Sequence, residues 1–109
     1  MPLVQITPAA LKQRLDDKSR PAPVLLDVRE PWEVEICSIP QSMNIPMNTV
    51  PDRAAELDPA AEIVVICHHG GRSQQVALFL ERQGFGNLHN LAGGVHGWAL
   101  SVDPDMPTY

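Results

Sequence analysis

Ile63, Val64, Val65 and Ile66 place β-branched apolar side chains at four successive positions. Side chains along a strand point alternately to its two faces, so a run that is apolar throughout must be covered on both sides. Residues 24 to 28, Val-Leu-Leu-Asp-Val, give a second short run of the same kind. Between and around these runs lie segments with helical spacing. Strands alternating with helices in this way predict an α/β fold of three layers, with a central, mostly parallel sheet flanked by helices. Ligands of such sheets bind outside the carboxyl ends of the strands, where Asp27 and Cys67 both fall.

The other elements follow from local signals. Thr7 before Pro8 reads as an N-cap with proline at the first helical position, and Leu11 and Leu15 continue a helix over residues 8 to 16. Arg20-Pro21-Ala22-Pro23 cannot extend it. Pro31 opens a short helix to residue 36, residues 42 to 45 form a brief strand before Pro46, and residues 47 to 57 look helical and acidic. Val76, Phe79, Leu80 and Gln83 mark one face of a helix beginning near Arg72, with Gly84 as its left-handed stop. Residues 87 to 91 read as a last strand, 92 to 94 as a loop and 95 to 100 as a helix carrying Trp98. Residues 101 to 109, with two prolines, are expected to be a tail. Trp32 and Trp98 are assigned to the core, as large aromatics usually are.

With 109 residues, 44% of them apolar and 19% charged, the chain suits one soluble domain over residues 1 to 109, with its core at about 4 to 102. A formal charge of −5 without any run of Lys or Arg argues against nucleic acid or an anionic membrane as partner. Residues 1 to 6 lack the basic-then-apolar pattern of a secretory leader, so a cytoplasmic location is expected. Cys37 and Cys67, the two cysteines, lie outside any Cys-x-x-Cys pattern.

The chemistry concentrates in Cys67-His68-His69-Gly70-Gly71-Arg72-Ser73, between the β-branched run and a helix start. Amides of a Gly-bearing loop at a helix N-terminus converge on one point, the helix dipole adds partial positive charge, and Arg72 closes the ring. A sulfur at that focus is favoured as thiolate, the nucleophilic form. Cys67 is therefore the candidate nucleophile, and residues 68 to 73 its cradle. Arg72 offers a planar cationic fork to a sulfonate or to an acidic partner. Neighbouring side chains in so tight a loop usually point apart, so His68 and His69 are read as polar lining. No metal is expected, because zinc ligands usually have several residues between them. Cys37 has no such loop and is assigned to packing; Asp27, Arg29 and Glu33 are within reach of the active loop and are assigned to a structural ion-pair cluster.

These residues resemble the rhodanese family from about Val4 to Val102. The likeness rests on Leu26-Asp27-Val28-Arg29-Glu30-Pro31 with Glu33, Ile39-Pro40, Asn44-Ile45-Pro46, the Cys67 loop, and Leu91-Ala92-Gly93-Gly94 with Trp98. Where the family usually has Gly-His-Ile-Pro-Gly-Ala, this chain has Cys37-Ser38-Ile39-Pro40-Gln41-Ser42, losing two glycines and a histidine from a loop. The resemblance implies a rhodanese-like sulfurtransferase in which Cys67 alternates between thiolate and persulfide, with His68, His69, Gly70, Gly71, Arg72 and Ser73 around the sulfur. It implies no cofactor. Thiosulfate or a related donor would load Cys67, and cyanide or a small thiol would unload it. A carrier module that exchanges sulfur with partner proteins in a relay is the alternative. Related phosphatase and arsenate reductase loops are one residue longer, whereas four residues separate Cys67 from Arg72 here, a ring short for a tetrahedral oxyanion.

Overall fold

The computed structural model describes residues 3–109. The reading of the first six residues as no leader falls partly on Met1 and Pro2, outside the described residues. Five strands form one parallel sheet: β1 (Val4–Ile6), β2 (Val24–Asp27), β3 (Met43–Asn44), β4 (Ile63–Ile66) and β5 (Leu88–Leu91), in the spatial order β1-β5-β4-β2-β3. Five helices connect and cover them: α1 (Pro8–Asp16), α2 (Pro31–Ile36), α3 (Val50–Arg53), α4 (Gly71–Arg82) and α5 (Gly94–Ser101). The three-layer α/β reading holds.

β4 occupies the centre, and all four of its residues are buried. Its side chains divide between two apolar layers as strand alternation requires. Ile63, Val65 and Cys67 join Leu26, Val50, Val76, Ala77 and Leu80 on the α3–α4 face. Val64 and Ile66 join Leu11, Leu25, Val95, Trp98 and Ala99 on the α1–α5 face. Full burial of each large aliphatic side chain contributes about 1.5–3 kcal/mol, so this double coverage is what fixes β4 at the centre. The chain runs outward from β2 to β3, then crosses back to β4 and on to β5. The crevice at that reversal lies beyond the ends of β2 and β4, which are in register at Asp27 and Ile66.

Local signals behave as their chemistry demands. Thr7 Oγ1 accepts the Ala10 N–H at 3.1 Å to cap α1. At α2, the carboxylate of Glu33 accepts the Glu30 N–H at 2.8 Å in a reciprocal capping box.

Four expectations need correction. β1 was not anticipated, because it is three residues long, largely exposed, and defined only by pairing with β5 at the sheet edge. Residues 47–57 are not one helix: Pro51 and the chain's tight path break them into a 3₁₀ turn, α3 and a second 3₁₀ turn. Trp32 is 60% exposed rather than core, being the second residue of a short helix whose other face carries buried Glu33. Residues 102–109 are no free tail, for Met106 is buried and the Tyr109 ring stacks on His68.

The departure at residues 37–42 leaves the turn intact. Gln41 stands where the resemblance expects glycine and adopts φ +69°, the left-handed region that side chains avoid. Ser42 closes the turn on the Ile39 carbonyl, and Ile39 anchors it in the core.

Candidate active site

Cys67 follows β4 directly, and α4 begins four residues later at Gly71. Its side chain is 1% exposed at the floor of the loop. The Gly70 N–H donates to Sγ at 3.0 Å, and the Ser73 hydroxyl stands 3.3 Å from the same sulfur. Ser73 also bonds to Asn90 Oδ1, so its single hydrogen is shared between the sulfur and the amide. Asn90, buried in β5, donates in turn to Gln5 Oε1 at 2.9 Å and to the Gly70 carbonyl at 3.3 Å.

The loop carbonyls are drawn away from Sγ. Cys67 O accepts the Val95 N–H at 2.9 Å, His68 O the His96 N–H at 3.1 Å, and Gly70 O the Gln74 N–H at 3.2 Å. The first two acceptors bind the N-terminus of α5, whose early amides have no partner inside their own helix. Two glycines make this approach possible. Gly70 caps α4 at φ +109°, turning its amide toward the sulfur. Gly94 lies so close to the loop that an added Cβ would overlap the carbonyl oxygens of Cys67 and His68.

Arg72 does not close the ring over the sulfur. Its two terminal nitrogens grip both carboxylate oxygens of Glu33, at 2.8 and 2.7 Å. This bidentate pair holds the Glu33 carboxyl at a pKa of about 2, below its ordinary value, against the cost of burial. Tyr109 Oη donates to Glu33 Oε1 at 2.9 Å and accepts from Arg29 at 2.9 Å. Arg29, fully buried, is itself held by Asp27 through contacts of 3.0 and 2.6 Å and by the Cys37 carbonyl at 2.7 Å. The structural ion-pair reading suits Asp27 and Arg29. Glu33 differs, because it fixes the loop through Arg72.

His68 and His69 do not point apart. Their ring centroids are 3.9 Å from each other, and the Tyr109 ring stacks on His68 at 3.9 Å and 7°. Burial, followed by the neighbouring His69, pushes the His68 pKa below the ordinary imidazole value. Gly71 opens α4, so the structure brings Gly70 and Ser73 to the sulfur, seats Arg72 on Glu33, and gathers the histidines at the rim. Asn90 and Tyr109 escaped the sequence reading. Two adjacent polar residues, His89 and Asn90, break the alternation of the final strand and were a signal for Asn90; for Tyr109, eight residues beyond the end of α5, there was none.

The rhodanese-like domain profile matches residues 7–101. A rhodanese-like/PpiC domain-containing chloroplast protein of Arabidopsis thaliana is 44% identical over 89 residues, which are 78% of this chain and 30% of that protein. The chain thus spans about a third of that relative. A sulfurtransferase of Allochromatium vinosum is 36% identical over 95 residues, 87% of each chain. The crystal structure of a rhodanese-like domain protein from Staphylococcus aureus superposes with a TM-score of 0.83 at 30% identity, covering 97% of this chain and 98% of the other. With the profile spanning strands β2 to β5 and the Cys67 loop, the chain belongs to the rhodanese-like domain family.

Proposed function

We propose that the protein is a sulfurtransferase in which Cys67 carries a sulfane sulfur as a persulfide. The observation that carries this reading is the orientation of the loop: an amide and a hydroxyl face Sγ at 3.0 and 3.3 Å, while the carbonyls of Cys67, His68 and Gly70 are bonded elsewhere. Such a surround favours negative charge on the sulfur. Thiolate Sγ attacks the outer sulfur of thiosulfate, a new S–S bond forms, and the old one breaks as sulfite leaves with the electron pair. An acceptor thiolate or cyanide then attacks that outer sulfur, and the pair of the broken bond returns to Sγ. Negative charge is spread along the line of sulfurs at each step, where the fixed donors stabilise it without reorganising. Removal of one such donor from comparable sites costs about 2.7–4 kcal/mol.

One observation favours the relay reading, in which a partner protein loads the persulfide. Arg72 is committed to Glu33, so the cation expected to meet a sulfonate is already neutralised, in a chain of net charge −5. Mass spectrometry after incubation with thiosulfate separates the two. Gain of one sulfur atom in wild type and its abolition in Cys67→Ser is the expected result. Rapid thiocyanate release with cyanide supports the small-molecule enzyme, and a stable persulfide with negligible turnover supports the relay. A mass gain that survives Cys67→Ser defeats both.

A further inference from the structure

Three imidazoles converge at the rim of the loop. His68 and His69 come from the loop and His96 from the first turn of α5, and their candidate ligand nitrogens all lie within 4.8 Å of one another. His96 reaches the pair because its own N–H is bonded to the His68 carbonyl at 3.1 Å and the preceding Val95 N–H to the Cys67 carbonyl at 2.9 Å. The ring centroid of His96 is 5.0 Å from His69 and 6.1 Å from His68. Nε2 of His68 and Nδ1 of His96 are buried yet have no hydrogen-bond partner among the described residues. Buried imidazole nitrogens without partners are costly to leave in that state.

We propose that His68, His69 and His96 form a binding site for a divalent transition-metal ion of the zinc type. Imidazole is the side chain such ions favour, and three protein ligands with an open fourth position are an established zinc arrangement. Zinc–nitrogen bonds of about 2.0–2.1 Å place tetrahedral ligand atoms roughly 3.3 Å apart. Side-chain rotations close the remaining gap. Tyr109 fixes one ligand: its ring stacks on the His68 ring and its backbone hydrogen-bonds to that imidazole, while Nε2 of His68 has no partner among the described residues. His69, the exposed member, keeps the fourth position open to solvent. The spacing argument against a metal counted ligands along the chain, and the third ligand comes from another element. The site does not depend on sulfur chemistry at Cys67.

The thiols are the competing ligands, so the test uses tag-free protein carrying Cys37→Ser and Cys67→Ser. Titration with Zn²⁺ is expected to show one ion per chain, with affinity at least ~100-fold weaker after His96→Ala or His69→Ala. Circular dichroism checks folding, and His69→Ala remains a fair test if His96→Ala unfolds, because His69 is exposed. In ¹H–¹⁵N spectra of the imidazoles, all three side chains should shift at one equivalent of Zn²⁺. No binding in the double-serine background, or unchanged affinity in both alanine variants, overturns the proposal.

Discussion

Cys37 and Cys67 are both free and both buried, at 8% and 1% exposure, yet they lie at opposite kinds of helix end. Cys67 precedes the start of the 12-residue α4, with an amide and a hydroxyl aimed at its sulfur. Cys37 ends the six-residue α2, with its backbone N–H on the Glu33 carbonyl at 3.4 Å and its sulfur at the edge of the other apolar layer, 3.9 Å from a guanidinium nitrogen of Arg29. A helix N-terminus carries partial positive charge and a C-terminus partial negative charge. Burial is thus shared between the two thiols, and what separates them is the helix end each occupies and the donor at each sulfur: an amide and a hydroxyl at Cys67, and at Cys37 the guanidinium of Arg29, already paired with Asp27.

The comparison breaks most severely at Gly94. Gly94→Ala forces a Cβ onto the carbonyls of Cys67 and His68 at a position held at φ +59°, and should cost roughly 3 kcal/mol in urea unfolding while sulfur uptake collapses. Stability near wild type would show that the α5 contact is not what orients the loop.

Glu33 connects the two settings, its carbonyl holding Cys37 and its carboxylate holding Arg72. That carboxyl titrates at about 2 in the folded chain against 4.5 ordinarily. A depressed carboxyl contributes stability that is complete above its unfolded pKa and is lost as pH falls through the folded one. The window is therefore from about pH 4.5 down to 2, and the loss is of order 2 kcal/mol after allowing for Arg72 being partly exposed. Urea midpoints across that range should flatten in Glu33→Gln; an unchanged slope would remove Glu33 as the cause.

Ser73→Ala sharpens the contrast at the sulfur itself. The Ser73 hydrogen is shared with Asn90 Oδ1, so its loss costs less than that of a fully committed donor: the substitution should slow persulfide formation about 10-fold, read by stopped reaction and mass spectrometry, with little change in fold. The smallest effect belongs to the Cys37 side. Gln41→Gly relieves the left-handed strain at φ +69° and should raise stability by roughly 0.5–1 kcal/mol, the gain being reduced by the freer unfolded chain. Sulfur uptake should be unaltered, and a change in it would link the two loops.

How legible these features were depends on the range of the interactions behind them. Four β-branched residues in a row announced β4, since covering both faces is a local demand that every folded arrangement must meet. Thr7 with Pro8, and Gly84 after α4, marked helix ends through the same short-range chemistry. β1 could not be read so, because its three mostly exposed residues become a strand only where β5 offers free edge groups. Gln41 carried no mark of the left-handed turn it occupies; Ile39 in the core holds it there.

Residue order alone thus settled the α/β architecture, the position of Cys67 between strand and helix, and the absence of any such loop around Cys37. The partners of the loop were settled only by packing. Glu33 lies 39 positions from Arg72, Asn90 17 from Ser73, and Tyr109 76 from Glu33. Hydrogen bonds and ion pairs act over a few ångströms and carry no signature along the chain, so such groups find each other only once the sheet has aligned the ends of β2, β4 and β5.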